Sequence, residues 1–88
     1  MHTAATGPRT VQFRARTFGE RVRNRRTELG LSQEAAAVCC GIHWTQLGKV
    51  ERGQRSLRLE NIIKIADGLD IDAGELVSGL PRPPEESA

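Results

Sequence analysis

The side chains with the clearest chemical bias in this sequence are its arginines. Eleven of the 13 Lys and Arg residues are Arg. The guanidinium group is planar and always charged, and it donates paired hydrogen bonds to phosphate oxygens or to the edge of guanine. The stretch GIHWTQLGKVERGQR, residues 41–55, sets basic residues beside the only Trp of the chain. These residue types favour contact with a polyanion.

The charge of the chain is divided unevenly between its two parts. Residues 1–58 carry eleven Arg and Lys against four Asp and Glu, a net charge of +7. Residues 59–88 carry two against seven, a net charge of −5. The formal total of +2 therefore conceals a strongly basic segment, which is the electrostatic pattern expected when one face of a protein meets a polyanion.

Catalysis and metal binding have little support. The sequence shows no Ser-His-acid set, no paired carboxylates beside a plausible cleft and no phosphate loop, so we expect no enzyme activity. Cys39 and Cys40 are adjacent, which would strain a disulfide between them. We expect reduced thiols, with redox sensing or metal ligation as the alternatives. His2 and His43 complete no zinc-ligand spacing, and we expect no metal and no cofactor.

Composition divides the chain into three segments. Residues 1–15 lack apolar periodicity and predict a flexible basic N-terminal arm, while residues 81–88, PRPPEESA, predict a disordered Pro/Glu tail. Residues 16–80 suffice for one small core. No apolar run approaches the ~20 residues of a membrane span, and no signal-peptide pattern is present. We expect a cytoplasmic protein without a membrane partner.

The first of five predicted helices covers about residues 17–29 and is ended by Gly30. Thr17 and Glu20 have the spacing of a capping box at its start. Its apolar face is formed by residues at helical spacing, namely Phe18, Val22 and Leu29.

The next two helices are short and tightly connected. Ser32 is the predicted cap of the second helix, and Gly41 is predicted to end it in a left-handed turn. His43 is the predicted cap of the third, which covers about residues 44–52 with Leu47 and Val50 facing inward. Two short helices joined by a Gly-containing turn form a helix-turn-helix, here at residues 32–52.

Two more helices complete an all-α fold around one core. The fourth is traced by apolar residues at helical spacing, Leu59, Ile62, Ile65, Ala66 and Leu69. Asp72 is the predicted cap of a fifth helix that includes Leu76 and Val77.

The stretch SQEAAAVCCGIHWTQLGKVERG, residues 32–53, resembles the Ser-Gln-Glu-x-Leu-Ala, Gly-Ile/Val and Glu-x-Gly signature of the phage-repressor-like (xenobiotic-response-element, XRE, type) helix-turn-helix family. The similarity extends over about residues 18–80. Within the family, residues 42–71 look most like the controller proteins of restriction-modification systems, through His-x-Thr-x-x-Gly, Glu-Arg-Gly-x-Arg and Leu-x-Asn-Ile. The resemblance implies a lambda-repressor-like DNA-binding domain.

In such proteins the second helix of the motif lies in the major groove of DNA. The residues implied to contact base edges are Trp44, Thr45 and Lys49, assisted by Gln46 or His43. The residues implied to contact the backbone or a minor groove are Gln33, Arg52, Arg55 and Arg58. On the first helix Arg23 is our candidate for a phosphate contact, and Arg14 and Arg16 either reach DNA from the arm or do not bind. The resemblance further pairs Glu51 with Arg26 in a buried ion pair.

Two residues of the third helix leave alternatives open. Trp44 stands where the controller-like pattern has Arg. It either packs against a thymine methyl or a sugar, or folds back over the second helix, where Ala36 replaces the usual Leu of the family. Gly48 predicts a close approach of this helix to DNA or to the second helix.

The expected function is that of a transcriptional regulator that binds a specific double-stranded DNA operator. A homodimer on a palindromic operator is expected, with Ile71, Val77 and Leu80 at the dimer interface, and RNA polymerase is a further candidate partner. The controller role in a restriction-modification system is the narrower hypothesis. The alternative is an antitoxin-type protein-interaction module that autoregulates its operon.

Overall fold

The computed structural model describes residues 8–81, and this part of the chain folds into five helices without a strand. The helices are α1 Pro8–Glu28, α2 Gln33–Cys40, α3 Trp44–Glu51, α4 Leu59–Gly68 and α5 Ala73–Val77. The predicted all-α fold with a helix-turn-helix, here α2 and α3, is confirmed.

The first helix begins at Pro8, nine residues before the predicted start at Thr17. Thr17 is an interior helical residue, so its prediction as an N-cap is wrong. Proline is favoured at the first helical position because the N–H that it lacks has no helical partner there. Ala15 is only 9% exposed, so the added helix packs against the protein at this residue. Part of the predicted arm is therefore helical, while residues 1–7 and 82–88 lie outside the described residues.

The predicted caps of α2 and α3 are present. Ser32 Oγ accepts a hydrogen bond from the backbone N–H of Ala35 at 3.1 Å, and Gly41 adopts the left-handed conformation with φ of 71°. The Nδ1 atom of His43 accepts from the backbone N–H of Thr45 at 3.2 Å. Because caps close both ends of the turn, only residues 41–43 separate the two helices of the motif.

One hydrophobic core lies between the five helices. The largest side chains that are completely buried are Val22, Leu47, Val50, Ile65, Leu69 and Leu76. Two residues predicted to face inward do not, since Leu29 is 40% exposed and Leu59 is 70% exposed. Leu29 follows the end of α1 and Leu59 is the first residue of α4, so neither is held within a helix that packs along its length.

Glycines allow two pairs of helices to cross at backbone contact. A Cβ atom added to Gly68 of α4 would lie 2.6 Å from Cys40 Cα and 2.7 Å from the carbonyl oxygen of Cys39 in α2. A Cβ added to Gly19 of α1 would overlap the carbonyl oxygen of Val50 in α3. Both helices of the motif are thus seated directly on neighbouring backbone.

We expect Gly68→Ala to destabilise the protein by about 1–3 kcal/mol, because the added methyl meets backbone atoms that cannot rotate away. The change is measured as a lower midpoint of urea unfolding. Gly74→Ala is the matched control, since its Cβ would meet only the side-chain oxygen of Asp72, at 2.9 Å. Equal midpoints for the two variants would contradict the tight α2–α4 crossing.

Candidate nucleic-acid interface

Glu51, the last residue of α3, is the point at which three helices meet. Its Oε2 accepts from Arg26 Nε at 2.6 Å, and its Oε1 accepts from Arg26 Nη2 at 3.0 Å and from Gln33 Nε2 at 3.0 Å. Arg26 lies on α1 and Gln33 is the first residue of α2. The predicted ion pair is therefore present and joins α3 to α1, while the hydrogen bond from Gln33 joins α3 to α2.

This ion pair is shielded from water on both sides. The side chains of Arg26 and Glu51 are 13% and 3% exposed. The hydrogen bonds from Arg26 to Glu51 raise the pKa of the guanidinium above its ordinary value, although burial acts in the opposite direction. Arg26 Nη1 also donates to the carbonyl oxygen of Leu31 at 2.8 Å, so the cation is well satisfied. Loss of the carboxylate would leave a nearly buried charge.

The edge of α3 that faces away from the core carries the predicted base-contacting residues. Thr45 and Lys49 are exposed, and Gln46 is half-buried. Trp44 is 51% exposed, and its ring stacks on that of His43 with the centroids 5.9 Å apart. Ala36 is completely buried, and Trp44, with half of its surface exposed, is not one of the residues that make up the core.

Gly48 lies under two polar side chains rather than against another backbone. A Cβ added there would lie 3.1 Å from Arg52 Nη1 and 3.7 Å from Gln33 Oε1. The predicted close approach to α2 is therefore made through the Gln33 side chain. The glycine leaves space for these two groups at the surface of the motif.

The arginines that follow α3 border an open groove at its side. Arg52, Arg55 and Arg58 are exposed. Arg55 and Arg58 line this groove together with Gln46 and Asn61. The structure therefore brings the predicted backbone-contacting residues next to the exposed edge of α3.

The arginines of α1 have different roles that sequence reasoning did not separate. Arg21 Nη1 donates to the carbonyl oxygens of Ser78 at 2.7 Å and Leu76 at 3.1 Å. Arg25 donates to the carbonyl oxygens of Leu69 and Asp70, both at 2.9 Å. The carbonyl oxygens at the ends of α5 and α4 have no helical hydrogen-bond partner, and these two guanidinium groups supply the missing donors.

Arg23 lies between these two arginines in sequence and is exposed on α1. It does not line the groove beside Gln46. It also does not line the groove that holds Arg52, so its phosphate contact stays a prediction.

The three residues predicted at a dimer interface lie in and beside α5. Val77 is 40% exposed, whereas Ile71 and Leu80 are half-buried and pack against the core. Val77 and Leu80 line a mainly apolar groove with Phe18 and Ile62, which Arg14 and Arg55 also line. Two of the three residues, Val77 and Leu80, thus line the same groove, and Ile71 does not.

The cysteines resemble ordinary helix residues. Both are free; Cys39 is exposed and Cys40 is buried. Burial raises the pKa of the Cys40 thiol to about 11, so it stays protonated near neutral pH.

Across the described residues, His, Cys, Asp and Glu form no group of three that could hold a metal ion. None of the described helices combines the length and apolar composition that crossing a membrane requires.

Comparisons with known proteins agree with this geometry. The helix-turn-helix family HTH_3 matches residues 22–76. Control protein C.BamHI of Bacillus amyloliquefaciens is 38% identical over 61 residues, 68% of this chain and 75% of that protein. The crystal structure of the restriction-modification controller protein C.AhdI from Aeromonas hydrophila is 48% identical, with a TM-score of 0.69, and the match covers 70% of this chain and 94% of that one. The P22 c2 repressor protein, solved in complex with a synthetic operator, is 27% identical with a TM-score of 0.66 over 70% and 94% of the two chains.

We expect Glu51→Gln to lower the free energy of unfolding by about 3–5 kcal/mol, because it leaves the Arg26 cation without its counter-charge. Urea unfolding followed by circular dichroism measures the loss. Glu28→Gln is the matched control, since Glu28 pairs with Arg25 at 3.2 Å on the surface, where its own side chain is 66% exposed. Surface pairs contribute little. A Glu51→Gln variant as stable as the control would show that the buried pair is not needed.

Proposed function

The chain belongs to the helix-turn-helix family HTH_3 and is a transcriptional regulator of the XRE type, and on that premise we propose that α3 reads a specific double-stranded DNA operator. The observation that carries this proposal is the exposed edge of α3, which Glu51 fixes against α1 and α2 and which Arg52, Arg55 and Arg58 flank. By likeness to C.BamHI and C.AhdI, we further propose a controller role in a restriction-modification system.

Base recognition is assigned to the exposed side chains of α3. The ammonium group of Lys49 donates to the O6 and N7 atoms of guanine in the major groove. Trp44 offers a large apolar face, which suits contact with a thymine methyl group, and a single N–H donor. The Nδ1 atom of His43 accepts from Thr45, which puts the proton of the neutral ring on Nε2 and makes that atom the donor toward DNA.

Phosphate contacts hold the motif in register on the duplex. Gln33 already donates to Glu51, so the backbone N–H groups at the start of α2 are the better candidates for a phosphate there. Arg52, Arg55 and Arg58 carry full charges and follow α3 directly. Such contacts supply affinity without sequence preference, which is left to α3.

A dimer would give the specificity that one domain lacks. A single module of this kind buries only about 600–1,000 Å² on DNA. Two copies related by a two-fold axis read half-sites one helical turn apart, roughly 34 Å. Val77 and Leu80 beside their mainly apolar groove are the contact that we propose for the second copy, while Ile71 packs against the core. Binding to RNA polymerase and a cytoplasmic location stay predictions.

We expect Lys49→Ala to weaken binding to the operator by roughly 5- to 150-fold, the equivalent of about 1–3 kcal/mol, and to relax the preference at one base pair. The operator is obtained by selecting the wild-type protein on random duplexes, and fluorescence anisotropy measures the affinities. Lys64→Ala is the matched control, an exposed lysine of α4, and should stay within twofold. The absence of any enriched sequence, or equal losses in the two variants, would overturn the proposed role of α3.

We expect Val77→Asp to convert a dimer into monomers at micromolar concentration, because it replaces an apolar contact with a charged group that must be desolvated on association. Sedimentation equilibrium measures the mass. Ile63→Asp is the control, since Ile63 on α4 is 52% exposed and lies outside the groove of Val77. A monomeric wild-type protein, or a Val77→Asp variant that still dimerises, would refute this interface.

A further inference from the structure

We propose that Arg16 on α1 binds a DNA phosphate of its own, together with Arg52 and Arg55, and so extends the protein–DNA contact beyond the helix-turn-helix. This assignment rests on the proposed function and adds a residue that the family pattern does not contain, since the match begins at residue 22. The three side chains line one open groove, here called the arginine groove, with Ala15, Gly53, Gln54 and Ser56.

The backbone of α1 holds Arg16 in place. Gly53, in the turn after α3, has a positive φ of 73°, and a Cβ added to it would lie 2.8 Å from Arg16 Cα and 3.1 Å from Arg16 N. The turn therefore rests directly on α1 at this residue. Arg16 is exposed, so its charge is presented to solvent from a fixed helical position.

The arginine groove is strongly cationic. Its lining includes three guanidinium groups and no carboxylate. The side-chain ion pairs among the residues with described side chains are Arg25–Glu28 and Arg26–Glu51, so Glu20, one turn along α1, does not neutralise Arg16 at contact distance. Arg52 Nε donates to the neutral Gln54 Oε1 at 3.2 Å. Like charges gathered in one groove repel each other, and an anion bound between them removes that penalty.

The position of the arginine groove indicates which anion it receives. Arg55 lines this groove and also the groove that holds Gln46 and Arg58 beside α3. The two grooves therefore lie next to each other and share Arg55. A chain of regularly spaced phosphates that passes α3 would reach Arg16 next, so the ligand is a phosphodiester of the same duplex.

Salt titration of duplex binding tests this assignment. We expect Arg16→Ala to weaken binding to the operator and to an unrelated duplex by the same factor, roughly 5- to 10-fold near 0.1 M salt, and to reduce the slope of log affinity against log salt by about 0.9. The base preference of the selected operator stays unchanged, and Arg16→Lys retains the slope because it retains the charge. Lys64→Ala removes one positive charge elsewhere and should leave the slope unaltered.

The outcomes separate this proposal from the function on which it rests. Wild-type protein that binds no duplex selectively refutes the proposed function. Selective binding that Arg52→Ala weakens, with the same affinity and slope in Arg16→Ala as in wild type, overturns the role of Arg16 alone. Titration with inorganic phosphate at constant ionic strength distinguishes the source of the anion. Saturation of the Arg16 Nε NMR signal at millimolar phosphate, without a change on adding duplex, would identify a free-phosphate site and overturn the assignment to DNA.

Discussion

The arrangement of the motif depends on the carboxylate of Glu51. It ends α3, yet it receives hydrogen bonds from α1 through Arg26 and from α2 through Gln33, so one buried group relates three helices. Desolvation of two charges is unfavourable, and the short bidentate contact with its additional donors offsets that penalty. Because hydrogen bonds are directional and apolar contacts are not, the network also favours one rotation of α3 about its own axis. That rotation decides which side chains point away from the core.

Features with a local cause were predictable from the sequence, and features set by distant contacts were not. Ser32, Gly41 and His43 each cap a helix through atoms a few residues away, and the ends of α2 and α3 follow from them. Thr17 has the same local signal, but the helix already begins at Pro8 and Ala15 is buried within it. Tertiary contact therefore overrides the predicted cap. The ion pair between Arg26 and Glu51 could be predicted only from the family resemblance.

The arginines of the candidate interface show the same limit at the level of side chains. Arg21 and Arg25 donate to backbone carbonyls that lie between 44 and 57 positions further along the chain, and a carbonyl carries no sequence signal. Charge composition therefore identified a basic segment correctly but could not divide it into structural and solvent-facing cations. Trp44 is a similar case, because its spacing suited either environment and only its half-exposed side chain in the fold shows that it is not a core residue. What the fold adds to the sequence is this separation of roles.

The hydrogen bonds from Arg21 to the carbonyl oxygens of Leu76 and Ser78 affect how the protein opens locally. A helix of five residues, the length of α5, is not stable by itself, so α5 persists while α1 supplies these hydrogen bonds and its packing. Opening of α1 at Arg21 releases the C-terminal segment in the same event. Amide hydrogen exchange in α5 is therefore coupled to that of α1, and anything that covers the surface around Val77 also protects amides across the molecule.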